Sequence, residues 1–201
     1  IVTTIFSETG SDEALADFNN DGLSEIAIGR IPARTPVRVL NTLEKIQRWE
    51  ANLNDPLSRG AVFAFDDPVG YDFEAMSARL RSRLPESMPT AFVGKPQVDS
   101  LVNLVSALNG GPYLVNYAGH GSTGAWSGNP VWFSVFNVNC TNGATQCVSN
   151  VGNESLYLML TCLNGYFVQT TSDSLAESLL FIEDRGAVAS WASTGLTTAD
   201  V

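Results

Sequence analysis

The chain has 201 residues, 44% of them hydrophobic, and a net charge of −10 from eleven basic and twenty-one acidic side chains. That length suffices for one core with a smaller lobe beside it. The eleven Lys and Arg are dispersed, which excludes nucleic acid as a partner because phosphate neutralisation needs clustered positive charge, and no apolar run reaches the roughly 18 residues of a membrane span.

Residues 1–16 carry little pattern. The chain begins Ile-Val-Thr-Thr and ends Ala-Asp-Val, which reads as an internal fragment or a mature domain. Asp17, Asn19, Asp21 and Glu25 then fall at relative positions 1, 3, 5 and 9 of a candidate Ca²⁺ loop, with Gly22 at position 6. Alternate oxygen side chains converge on a hard cation there, and Gly permits the sharp turn. Position 12 is Ile28, so a complete EF-hand is excluded. The alternative is an Asx-rich turn ahead of a strand.

Ile26–Ile31 reads as a short buried strand. Thr35 followed by Pro36 predicts a helix start. Val39, Leu40, Leu43, Ile46 and Trp49 give it helical spacing to about residue 51. From residue 61 strands and helices alternate. Ala61–Phe65 is an apolar strand running into Asp66-Asp67, and Phe73–Leu84 is a helix bounded by Pro85. Thr90–Val93 is a strand, and Leu101 to Leu108 line a helix ended by Gly110-Gly111. Pro112–Tyr117 is a strand that delivers His120, the only histidine. Residues 122–153 form a loop-rich insertion. Leu156–Leu160 is a strand that delivers Cys162. Ser172 or Ser174 caps a helix through Ile182, and Gly186–Trp191 is the last strand. Such alternation predicts an α/β fold, a mainly parallel sheet covered on both faces, with ligands at the carboxyl ends of the strands.

Three cysteines are present. Cys140 and Cys147 flank an Asn-Gly turn. A bridge between them restrains the unfolded loop by roughly 2–3 kcal/mol and suits a secreted or periplasmic protein. Two reduced thiols are the alternative. Cys162 is left over as a reactive thiol. A thiolate is the nucleophile of cysteine hydrolases, an imidazole lowers its pKa or supplies protons, and an oxyanion needs donors. The backbone N–H groups of Gly121 and Cys162 are the candidates for that last role.

Tyr117-Ala118-Gly119-His120-Gly121-Ser122 and Thr161-Cys162-Leu163-Asn164-Gly165-Tyr166-Phe167 resemble the two signature blocks of the gingipain family of cysteine peptidases, within the caspase-like group. Ile26-Ala27-Ile28-Gly29-Arg30, Ser174-Leu175-Ala176-Glu177 and Gly186–Ala189 with Ala192-Ser193-Thr194 extend the resemblance over roughly residues 17–199. It implies a caspase-like three-layer α/β/α sandwich, with an N-terminal lobe fragment at 1–58 and a catalytic lobe at 59–201. It implies a secreted or cell-surface bacterial endopeptidase, with a periplasmic site as a further option. Such an enzyme acts on protein or peptide substrates through a thioester and requires no cofactor for the chemistry. By motif, Cys162 is the nucleophile and His120 its acid/base partner. Asp67, or Asp66, stands where the family carries Glu to orient the histidine. Asp72 or Glu74 corresponds to an acid that recognises a basic substrate residue, the alternative being an acid that serves a helix N-terminus, and Trp191 and Ser193 lie on the cleft strand. The segment Thr194–Asp200 lacks the aromatic residue gingipains use, so basic specificity does not carry over. Trp126 and Trp132 either contact substrate or anchor the insertion. Competing readings are a non-catalytic adhesion or assembly module, and an acyl transferase or transpeptidase using the same thioester chemistry.

Overall fold

The computed structural model describes residues 2–3, 8–10 and 12–198. Val2–Thr3 (β1) and Glu8–Thr9 (β2) pair antiparallel. The predicted strand at Ile26–Ile31 is not one. The segment joins no sheet, and Ile26 and Ile28 are 56% and 41% exposed. Its physical reason is lateral: a strand needs a neighbour for its N–H and C=O groups. Here a cavity of about 550 Å³, lined on one side by Ile28–Pro32, separates it from the edge strand 187–192.

Pro36–Ala51 (α1) forms as predicted, with Thr35 Oγ1 accepting the Arg38 N–H at 3.4 Å and Pro36 at the first position. Its buried face differs from the apolar pattern. Leu40 and Leu43 are exposed, whereas Thr42 and Lys45 are buried. This helix docks through polar groups. Lys45 Nζ donates to the carbonyls of Ile182 and Arg185, and the Trp49 indole N–H donates to the Glu154 carbonyl.

Ala61–Phe65 (β3) is buried along its whole length. Phe73–Arg81 (α2) stops three residues before the predicted end, at a Ser82 cap. Thr90–Gly94 (β4), Ser100–Asn109 (α3) and Leu114–Ala118 (β5) follow. The insertion is more ordered than predicted. Gly121–Ser122 (β6), Ala125–Trp126 (β7) and Phe133–Ser134 (β8) make an antiparallel meander, and Ser134 caps Val135–Asn139 (α4). Trp126 and Trp132 are buried, with Trp126 stacked on Tyr117 at 4.3 Å, so both anchor the insertion to the core. Cys140 and Cys147 are bridged. Ser155–Leu160 (β9), Leu175–Phe181 (α5) and Ala187–Ala192 (β10) complete the chain. Ser174, not Ser172, caps α5 through a reciprocal capping box with Glu177.

The central sheet has the order β10-β9-β5-β3-β4, and every pair is parallel. Apolar side chains cover both faces. Leu104, Val105 and Leu108 of α3 and Leu175 and Leu179 of α5 pack with Val62, Ala64, Val115 and Tyr157. Phe73 of α2 packs with Phe65 and Ala118 on the other side. This is the α/β/α arrangement the alternating sequence predicts.

Candidate active site

Register brings the chemistry together. Phe65 of β3 pairs with Ala118 of β5, and Ala118 pairs with Leu160 of β9. The three strands therefore end level and side by side. Asp66, His120 and Cys162 lie one or two residues beyond those paired ends, at the edge where open parallel sheets bind ligands. His120 and Cys162 line one cleft of about 530 Å³. Tyr71, Phe73 and Met76 form part of its wall, and Leu160, Trp191 and Ser193 another part.

The imidazole is held at one nitrogen. His120 Nε2 lies 2.9 Å from the Val69 carbonyl oxygen. A carbonyl can only accept, so in the neutral ring Nε2 carries the proton and Nδ1 keeps the free lone pair. Phe73 packs edge-on against the ring at 5.3 Å between centroids. The Cys162 thiol contacts Thr197. The Thr197 N–H donates to Sγ at 3.4 Å, and Sγ lies 3.4 Å from the Thr197 carbonyl oxygen. Among the described residues no hydrogen bond joins His120 directly to Cys162.

The His120 main chain is clamped at both ends. Its N–H donates to Asp66 Oδ2 at 3.1 Å. Its carbonyl accepts from the Tyr117 hydroxyl at 2.7 Å and from the Ser127 N–H at 2.7 Å. The Ser127 N–H also reaches the Tyr117 hydroxyl, at 3.0 Å. Burial, then the Asp66 charge, pushes the Tyr117 phenol far above its ordinary range, so it stays a donor. Asp66 is buried, and its other oxygen accepts the Asp67 N–H at 2.8 Å. Lys95 closes the cluster, with Nζ 2.8 Å from Asp67 Oδ2, 3.5 Å from Asp66 Oδ1 and 2.6 Å from Ser127 Oγ. Burial pulls its ammonium pKa down, but the Asp67 hydrogen bond and the two carboxylate charges outweigh that and leave it raised.

Two glycines let the strand exits approach. A Cβ on Gly119 would collide with the Tyr117 hydroxyl and Asp66, and one on Gly121 would collide with Thr161 Oγ1 and crowd the Cys162 carbonyl.

Several expected roles fall elsewhere. The structure does not bring Asp67 to the imidazole. Its carboxylate pairs with Lys95, and the Val69 carbonyl takes the ring nitrogen instead. A side chain one carbon shorter than Glu stops at the nearer ammonium. Asp72 caps α2, accepting the Ala75 N–H at 2.9 Å, and is not among the residues lining the cleft. Glu74 is exposed in the same turn. Trp191, 75% exposed, and Ser193 both line the cleft. The Ser193 hydroxyl also folds its own turn, donating to the Gly195 carbonyl and accepting its N–H. Ala199 and Asp200 of the cleft segment lie outside the described residues. Lys95, Ser127 and Val69 escape sequence reading, and Tyr117 and Thr197, which lie in the signature block and the cleft segment, were given no role of their own. Lys95 had a signal, standing just past an apolar strand at the same sheet edge.

In the acidic loop, Asp17, Asp21 and Glu25 each bring one carboxylate oxygen within 4.8 Å of the others. Asp17 and Asn19 oxygens accept the Asp21 N–H, Asp17 accepts the Gly22 N–H, and Asp21 accepts the Leu23 N–H. Glu25 Oε2 accepts the Phe18 N–H at 2.6 Å. These turns accompany the three clustered carboxylates, and Asn19 Oδ1 is engaged by the Asp21 N–H.

The family model of peptidase family C25 matches residues 1–201. Among solved structures, the chain is similar to the Arg specific cysteine proteinase gingipain R, at 22% identity and a TM-score of 0.75, covering 98% of this chain and 46% of that one. A complex of Porphyromonas gingivalis RgpB pro- and mature domains is 21% identical at a TM-score of 0.74, covering 98% and 47%. A third structure, described only as a protease, is 16% identical at a TM-score of 0.74, covering 96% and 42%. The likeness is one of fold, and the chain spans under half the length of each of these structures. No curated protein matches the chain.

Proposed function

The chain belongs to peptidase family C25, and on that premise we propose that it is a cysteine endopeptidase using Cys162 and His120. The observation that carries this reading is the level register of β3, β5 and β9, which leads His120 and Cys162 into one cleft. Nδ1 of His120, free of the Val69 carbonyl, takes the thiol proton. The thiolate attacks the scissile carbonyl, and the backbone N–H groups of Gly121 and Cys162 receive the developing oxyanion. The C–N bond then breaks, the imidazolium returns its proton to the departing amine, and a thioester remains. Water activated by the imidazole hydrolyses it and restores the thiol. The Val69 carbonyl, rather than Asp67, orients the ring. No cofactor enters these steps.

Trp191 of β10 and Ser193, one residue beyond it, are the proposed substrate contacts. The remaining cleft wall, with Tyr71, Phe73, Met76 and Leu160, suits an uncharged side chain next to the scissile bond, and Asp72 is committed to its helix cap. A protein or peptide substrate outside the cell fits the Cys140–Cys147 bridge, and we place the protein as secreted or at the cell surface. The proposal keeps the boundary near residue 58, with α1 of the first part packing on α5 and β10 of the second. It also includes a structural Ca²⁺ on Asp17, Asn19, Asp21 and Glu25, and calorimetry with no heat at millimolar Ca²⁺ removes that part.

The test is a peptide library varied at the residue before the cleaved bond, combined with a peptidyl acyloxymethyl-ketone label. Cys162→Ala should lose the label, and His120→Ala should stay folded without turnover. Labelling of Cys162→Ala equal to the parent sinks the nucleophile. An inert parent favours the non-catalytic module, product transfer to added amines favours a transpeptidase, and a basic preference overturns the uncharged pocket.

A further inference from the structure

We propose that Lys95 is a positioning residue for His120, tying Asp66, Asp67 and Ser127 into one frame that holds the main-chain N–H and carbonyl of His120. The proposal rests on the reading of His120 as the acid/base partner of Cys162.

Lys95 follows β4 directly, and its N–H donates to the Phe65 carbonyl at 2.9 Å. Its backbone is therefore fixed to the end of β3. Its side chain runs under the strand ends, with only 11% exposed. A buried ammonium is costly unless paired. Here it is hydrogen-bonded to Ser127 Oγ at 2.6 Å and ion-paired with Asp67 Oδ2 at 2.8 Å and Asp66 Oδ1 at 3.5 Å. Two of those partners lead to His120 by separate routes. Asp66 holds the His120 N–H through its second oxygen, and Ser127 holds the His120 carbonyl through its own N–H. One cation thus connects the peptide groups on both sides of a single residue, two residues beyond the sheet. Without it, Asp66 and Asp67 face each other as adjacent anions, and both grips on His120 loosen.

The charged and titratable groups near His120 are Asp66 on its N–H, Tyr117 on its carbonyl, Lys95 and Asp67 one contact further out, and Tyr71 and Cys162 in the same cleft. The α2 side presents Phe73. Removing the cation leaves the carboxylates uncompensated, which favours the imidazolium. Because His120 is the only histidine, its imidazole resonance can be read in the whole chain without assignment.

The experiment compares Lys95→Met and Lys95→Arg with the parent. It measures kcat and KM on a peptide from the library, the pH dependence of Cys162 alkylation by iodoacetamide, and the NMR titration of the imidazole. Lys95→Met should lower kcat about 10- to 100-fold, the usual scale for a misplaced reacting group, with KM changed less than about twofold. It should also raise the imidazole midpoint and shift the alkylation profile the same way. Lys95→Arg should recover most of kcat. Parental kcat and an unmoved midpoint in Lys95→Met overturn the proposal, as does a loss that Lys95→Arg fails to recover. If Lys95→Met does not fold, Ser127→Ala serves, since it removes one acceptor of the ammonium and keeps the Ser127 N–H. A lowered kcat at unchanged KM supports the proposal there, and parental kcat overturns it. The dyad reading fails separately, through turnover by His120→Ala. In that case the imidazole titration still decides whether Lys95 acts on His120.

Discussion

Asp66→Asn is nearly isosteric, yet the surroundings of Asp66 contain only donors. Oδ2 accepts the His120 N–H at 3.1 Å, and Oδ1 accepts the Asp67 N–H at 2.8 Å with Lys95 Nζ 3.5 Å away. An Asn amide offers one oxygen and one NH₂. Either orientation therefore points N–H bonds at a buried donor. At least one backbone N–H loses its acceptor, which costs about 1–3 kcal/mol. Lys95 retains Asp67 and Ser127, so the loss stays local. Urea unfolding should show a lowered midpoint at unchanged slope. Cys162 alkylation, followed on the same samples below the transition, should lose its parental pH profile as His120 shifts. A variant within about 0.5 kcal/mol of the parent, the range of an ordinary surface substitution, refutes the account of Asp66 as an acceptor-only hub.

Two further substitutions probe other parts of the structure. Gly121→Ala drives a methyl into Thr161 Oγ1 and against the Cys162 carbonyl, and overpacking of this kind costs about 1–3 kcal/mol. A lower melting temperature together with slower Cys162 alkylation is expected, and parental values in both show that the strand exits are looser than described. Lys45→Met concerns α1. Burial, outweighing the nearby Glu154 charge, lowers the Lys45 pKa from 10.5 to about 8. Between those values the unfolded chain binds a proton that the folded chain does not, so this group adds stability as pH rises. The gain is up to about 3 kcal/mol at 1.36 kcal/mol per pH unit. The deficit of Lys45→Met relative to the parent should therefore widen from pH 7 to pH 10, and an equal deficit at both values sinks the assignment.

Most of the sheet was legible from the chain because its strands are covered on both faces and read as unbroken apolar runs. Ala61–Phe65 is the clear case, whereas Leu156–Leu160 is as apolar in sequence but leaves Leu158 and Leu160 exposed on one face. The same regularity marks His120 and Cys162 as strand-end residues in the sequence itself. Ile26–Ile31 shows where that rule stops. An apolar run signals a strand only if a partner lies beside it, and partner placement is not local information. In α1 the helical period was correct while the buried face was wrong. Lys45 and Trp49 dock on the carbonyls of Ile182 and Glu154, and such acceptors are backbone atoms that no residue pattern displays.

The candidate site divides the same way. By itself the sequence determined which side chains are available: one imidazole, one unbridged thiol, glycines beside the histidine, and the strands that carry them. Tertiary structure alone decided their partners. Val69, not Asp67, faces the imidazole; Lys95 binds the two aspartates; and Thr197 lies on the thiol. The reason is physical. Strand periodicity is local and repeats along the chain, whereas a hydrogen bond is settled within a few tenths of an ångström between segments about 30 to 50 residues apart.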